Sequence, residues 1–102
     1  MPHAEAAEFA DNDRSRITQW SFAAAGASTG PHVHEFDYIV VPVTGGDLTV
    51  ISSDGSERSM MQVSGVPYTG TAGTRHNVVA SSEGPIVFVE VELKGQQKRL
   101  DA

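Results

Sequence analysis

Two of the four histidines stand one residue apart, His32-Val33-His34, directly after Gly30-Pro31. Residues two apart point to nearly opposite sides of a helix, but on a strand they share a face at about 6.6 Å, close enough for two imidazoles to converge on one ion. A metal reading of the pair therefore requires a strand. Gly30-Pro31 blocks a helix, and Phe36 to Val43 continues as a β-branched and aromatic run. On strand parity His32, His34, Phe36 and Tyr38 face one way, and Val33, Glu35 and Asp37 face the other. Two neutral imidazoles rarely hold a divalent first-row ion alone, so a third ligand must come from elsewhere. His76, in GTRHNVVA, starts a strand after a Gly-rich turn, and a sheet that rolls up brings it beside the pair. His3 sits in an arm with nothing to fix it. The expected metal ligands are His32, His34 and His76.

The elements that must position these side chains are short strands. The first fifteen residues are rich in Ala and Glu with one large apolar residue, Phe9, and read as an arm or a single helical turn. From Arg16 to Lys94 short apolar runs are punctuated by Gly, Pro, Ser and Asp, the signature of an all-β sandwich or barrel. Expected strands cover Ile17 to Ala25, Tyr38 to Val43, Leu48 to Ile51, Glu57 to Val63, Val66 to Tyr68, His76 to Ala80 and Ile86 to Leu93. Asp54-Gly55 marks a hairpin, with further turns at Gly45-Gly46, Gly70 to Gly73 and Ser81 to Pro85. In IVFVEVEL, Val87, Val89, Val91 and Leu93 make the continuous apolar face, and Ile86, Phe88 and Glu90 the other. The division is an arm over 1–15, a barrel over 16–94 and a polar tail over 95–102.

Composition narrows the function classes. The chain has 102 residues, 39% of them hydrophobic, enough for one modest core. Thirteen acidic against seven basic residues give a net charge of -6, which repels a phosphate backbone and argues against nucleic acid as a partner. With no cysteine, disulfides, thiolate metal sites and a Cys nucleophile are all excluded. No apolar run approaches the ~20 residues of a membrane span, and no signal core is visible, so no membrane partner and a cytoplasmic location are expected.

The spacing of the histidines and glycines resembles the cupins, small β-barrels with two motifs. The first family motif runs glycine, five residues, His, one residue, His, three or four residues, Glu, six residues, glycine. Here it reads Gly26, ASTGP, His32, Val33, His34, EFD, Tyr38, IVVPVT, Gly45. The second runs glycine, five residues, proline, one residue, glycine, two residues, His, three residues, Asn. Here it reads Gly65, VPYTG, Thr71, Ala72, Gly73, TR, His76, NVV, Ala80. All three histidines and all four glycines are in register, and the likeness covers roughly Trp20 to Glu92. Tyr38 stands where the family has its glutamate ligand, Thr71 replaces the proline and Ala80 the asparagine. With three neutral imidazoles the dication keeps its full charge and more open positions for an anionic substrate and for dioxygen. Tyr38, with an unperturbed pKa of ~10, is read as the catalytic residue, a hydrogen-bond donor to bound water or substrate and not a ligand.

The resemblance implies a double-stranded β-helix, jelly-roll-like, of eight to ten short antiparallel strands, with exposed edges that favour a homodimer. It also implies one divalent transition metal, Fe(II) preferred, with Mn, Ni or Zn as alternatives, and a small-molecule ligand or substrate as partner. The implied reaction is a dioxygenation of a small carbonyl or carboxylate; the alternatives are a binding or sensor module and an oxygen-independent isomerase or lyase. Trp20, Phe22, Phe36, Met60, Met61, Tyr68 and Phe88 are read as core or barrel lining. Glu35 and Asp37 point outward on parity. Arg75 faces away from the metal unless its turn bends inward to hold a substrate carboxylate.

Overall fold

The computed structural model describes residues 2–95, so nearly all of the tail expected over 95–102 lies outside the described residues. Among the described residues there are nine strands and no helix: β1 Glu5–Asp11, β2 Ser15–Phe22, β3 His32–Val33, β4 Asp37–Pro42, β5 Gly46–Ser52, β6 Glu57–Gln62, β7 Tyr68–Gly70, β8 Arg75–Ala80 and β9 Ile86–Leu93. They form two antiparallel sheets, ordered β1-β2-β9-β4-β7 and β3-β8-β5-β6. The all-β expectation holds, and the strands fall close to the apolar runs that announced them. None of the helices a membrane span would need is present among these residues.

Three local readings differ from the structure. Residues 5–11 are not a helical turn: the expected arm is an edge strand paired on β2, with a register shift between Glu8 and Ala10. A backbone with little apolar surface of its own finds its hydrogen-bond partners on the free side of β2. The run from His32 to Val43 is not one strand. It leaves the four-stranded sheet after Val33 and joins the five-stranded one at Asp37, with His34 tied by backbone hydrogen bonds to Thr74 and Gly73 on the way. Such a corner lets one stretch of chain serve both sheets. Met61 is 70% exposed, because β6 alternates and its neighbours Met60 and Gln62 take the inner positions.

The core lies between the sheets at one end. Phe22, Leu48 and Ile86 are fully buried, and the Phe22 and Phe88 rings meet at 5.8 Å. On β9 the inward face is Ile86, Phe88, Glu90 and Glu92, all buried, while the continuous valine face is outward and half-buried. Opposite-strand pairs grade from apolar to polar along the sandwich: Leu48 faces Ala80, Val50 faces Val78, and Ser52 faces His76. The end beyond Phe88 is therefore left for the histidines and two carboxylates. Ile86→Ala should cost about 2–5 kcal/mol in chemical denaturation, as expected for a fully buried side chain at the closed end. A cost below about 1 kcal/mol would mean that the valine face of β9 is the core.

Candidate metal centre

The short strand β3 lies against the start of β8 with His32 directly opposite His76. His34 enters from the corner that follows and is 8% exposed. The three imidazoles meet through their Nε2 atoms, at 3.1 Å between His32 and His34 and 3.0 Å between His34 and His76. With metal–nitrogen bonds of ~2.1 Å, adjacent sites of an octahedron lie about 3.0 Å apart and those of a tetrahedron about 3.4 Å. Both observed spacings lie in the range that ligands sharing one ion require.

The tautomers fit the same reading. His32 Nδ1 lies 2.9 Å from the Gly30 carbonyl oxygen, which can only accept, so Nδ1 carries the proton and Nε2 a lone pair. His34 Nδ1 faces Glu90 Oε2 at 3.5 Å, which favours the same arrangement. Lone pairs converging at such distances repel unless a cation lies between them. His3 is exposed, bridges to Ser28 and takes no part.

Tyr38 is buried and stacks on the His34 ring, centroids 3.9 Å apart. It pairs across strands with Gly70, and a Cβ there would overlap its ring and hydroxyl. Glycine at 70 is what lets the phenol lie against the imidazole. Glu35 and Asp37 are exposed, and Asp37 accepts a hydrogen bond from the Ala72 amide, fixing the turn before β8. Phe36 is half-buried, and Arg75, exposed, lines an outer groove and not the cavity.

The imidazoles and Tyr38 open on a cavity of about 260 Å³ between the two sheets, which also receives Trp20, Val50, Arg58, Met60, Tyr68, Phe88 and Glu90. Among these, Glu90 and Arg58 were not legible as site residues. Glu90 Oε1 accepts a hydrogen bond from Trp20 Nε1 at 3.1 Å, which leaves Oε2 toward His34. Its neighbour Glu92 is held bidentately by Arg16, at 2.8 and 2.7 Å. The available signal was parity: Glu90 shares its face with Ile86 and Phe88, and a carboxylate in an otherwise apolar strand has a reason to be there.

The chain can be placed among known proteins on this fold and site. No family model matches it. Over 84 residues it is 43% identical to the β-alanine degradation protein BauB of Pseudomonas aeruginosa, covering 82% of this chain and 86% of that one. The crystal structure of a cupin domain from Bordetella pertussis Tohama I matches with a TM-score of 0.86 at 39% identity, covering 92% of this chain and 96% of that one. The chain is a cupin. At 23% identity KdgF from Halomonas sp. shares the fold, with a TM-score of 0.63 over 92% of this chain and 82% of that one.

Electrostatics in this cupin keep the imidazoles available. Burial, and secondarily the other imidazoles, push His34 and His76 each down to about 4. Both are neutral well below neutral pH, as ligands must be. Burial, reinforced by the Glu92 carboxylate and opposed by Trp20 and Arg16, pushes Glu90 up to about 7. Burial also raises Tyr38 above its usual value, so the phenol keeps its proton.

These shifts set a pH response for the metal-free protein. Between about 6.5 and 4 the unfolded chain binds protons at His34 and His76 that the folded one refuses, so stability falls as pH drops through that window. Glu90 acts in the opposite sense, but it is one group against two. The thermal midpoint should be lower at pH 5 than at pH 7, and the difference should shrink when His34 and His76 are both replaced by Gln. A higher midpoint at pH 5 would contradict the burial of neutral imidazoles. Glu90→Gln should weaken Co(II) binding by roughly tenfold to a hundredfold in a competition titration. Unchanged affinity would mean that Glu90 does not orient His34.

Proposed function

We propose that this cupin is a mononuclear metal-dependent enzyme that acts on a small carbonyl or carboxylate substrate, with dioxygenation as the reaction. The observation that carries the reading is the convergence of three Nε2 atoms at the wall of a cavity between the sheets that also holds two proton-bearing groups. His32, His34 and His76 would hold the ion, Fe(II) by preference and Mn, Ni or Zn otherwise. Such an ion, when bound, supplies a Lewis acid for a carbonyl oxygen and a centre for dioxygen chemistry.

The chain's own residues divide the remaining work. Tyr38, protonated through neutral pH, donates a hydrogen bond from its hydroxyl into the cavity and orients the substrate. Glu90, balanced near neutrality, can take up or release a proton at Oε2 and also steadies His34. Trp20, Met60 and Phe88 exclude water. A second proton-handling group beside Tyr38 favours turnover over simple ligand capture. A short carboxylate is further supported by the link of the 43% identical relative to β-alanine degradation.

We also propose a homodimer. Strands β1 and β6 leave open edges, and the outer face of β9 places Val91 between Ile17 and Ile39 with no further layer over them among the described residues. Light scattering should give a mass near twice 10.8 kDa, and a mass of 10.8 kDa at micromolar concentration would refute the dimer.

Elemental analysis after native purification should find about one transition-metal ion per chain, and oxygen uptake over a panel of diketones, thiols and short acids should depend on added Fe(II). His76→Ala should lose the metal and keep the fold, whereas Tyr38→Phe should keep the metal and lower turnover by about tenfold or more. Zinc without oxygen uptake would redirect the reading to an isomerase or lyase. Loss of metal in Tyr38→Phe would make Tyr38 a ligand.

A further inference from the structure

Among the described residues Arg58 is the one guanidinium that lines the cavity. It sits on β6 opposite Val50, on the same alternation as Met60 and Gln62, and so turns toward the space between the sheets at its open side. From β8, which carries His76, it is two strands away through β5, roughly 10 Å across the sheet. Arg16 is occupied by Glu92 and Lys94 by Asp11. Among the described residues the Arg58 side chain makes no hydrogen bond and no ion pair. Arg14 and Arg75 also lack an ion pair among the described residues, but neither lines this cavity, and Arg58, exposed at its open side, can reach a guest there. Its field nevertheless reaches the cavity groups, acting on Tyr38, Tyr68 and His76.

We infer that Arg58 is the specificity-determining residue of this cavity and that it selects a small monocarboxylate, gripping the carboxylate while the other end of the molecule lies toward the imidazoles. The inference rests on the reading of the cavity as a substrate chamber. A guanidinium matches a carboxylate with two parallel hydrogen bonds, and Thr69 and Thr71 add hydroxyls to the same lining. One cation balances one negative charge. A phosphate dianion held at Arg58, away from any ion at the imidazoles, would leave a charge uncompensated against walls formed by Val50, Met60 and Phe88, which is costly. A volume of about 260 Å³ limits the guest to a few carbons beyond the carboxylate, since drug-sized ligands occupy ~300–1,000 Å³.

The test compares charged probes with neutral probes of the same shape. Calorimetry on metal-free and Co(II)-loaded protein would use 3-oxobutanoate against 2,4-pentanedione and 4-oxopentanoate against 2,5-hexanedione. The wild-type protein should bind at least one acid roughly tenfold more tightly than its neutral partner, the scale of one charged hydrogen-bonded contact. Arg58→Met should remove that preference and leave Co(II) affinity unchanged, and Arg58→Lys should restore part of it. No preference in the wild type, no binding of either acid, or a preference that survives in Arg58→Met would each overturn the inference. If the wild type refuses Co(II) yet shows an Arg58-dependent preference, the metal-enzyme reading fails and the anion inference stands.

Discussion

The pairing of β3 with β8 is the constraint on which the site depends. It is only two residues long, yet it sets His32 opposite His76 and thereby fixes two of the three imidazoles relative to one another. A slip of one residue would turn His76 to the outer face, because strand side chains alternate. Backbone bonds from His34 to Thr74 and from Gly73 to His34 hold the corner that delivers the third ring, and the Asp37 carboxylate ties the same turn at Ala72. Few bonds carry this arrangement, and all of them lie within the segment where the chain passes between sheets.

The two ends of the sandwich have different physical tasks. At the closed end Phe22, Leu48 and Ile86 exclude water and supply the burial that holds the sheets together. At the open end the buried carboxylates and His32 are tolerated because they have partners: Glu92 has Arg16, Glu90 has Trp20 and His34, and His32 has the Gly30 carbonyl. The strand β9 spans both regimes, which explains its mixed inner face. The same strand that closes the core with Ile86 presents a carboxylate to the histidines four residues on, at Glu90.

Much of this was legible in the residues. A His-x-His pair beyond Gly-Pro admits convergence only on extended chain, and His76 was the one other histidine in a strand context, so the triad could be read directly. The interior position of Tyr38 was also right, although it arises from a corner between sheets and not from the parity of a single strand. Glu90 was missed because the valines of β9 form the more continuous apolar face, and hydrophobicity alone assigns such a face to the core. Arg58 was missed because a polar return strand after Asp54-Gly55 looks solvated on both sides. The edge strand β1 was hidden because its pairing is owed to β2 and not to its own side chains.

The close seating of the Tyr38 phenol over Gly70 couples two positions more than thirty residues apart in sequence. The restriction runs one way during descent: a bulkier residue at 70 is admissible only after the ring at 38 has shrunk or gone. Cupins that carry an acid at the position of Tyr38 are thereby freed from this restriction, and across a set of relatives the two columns should vary together.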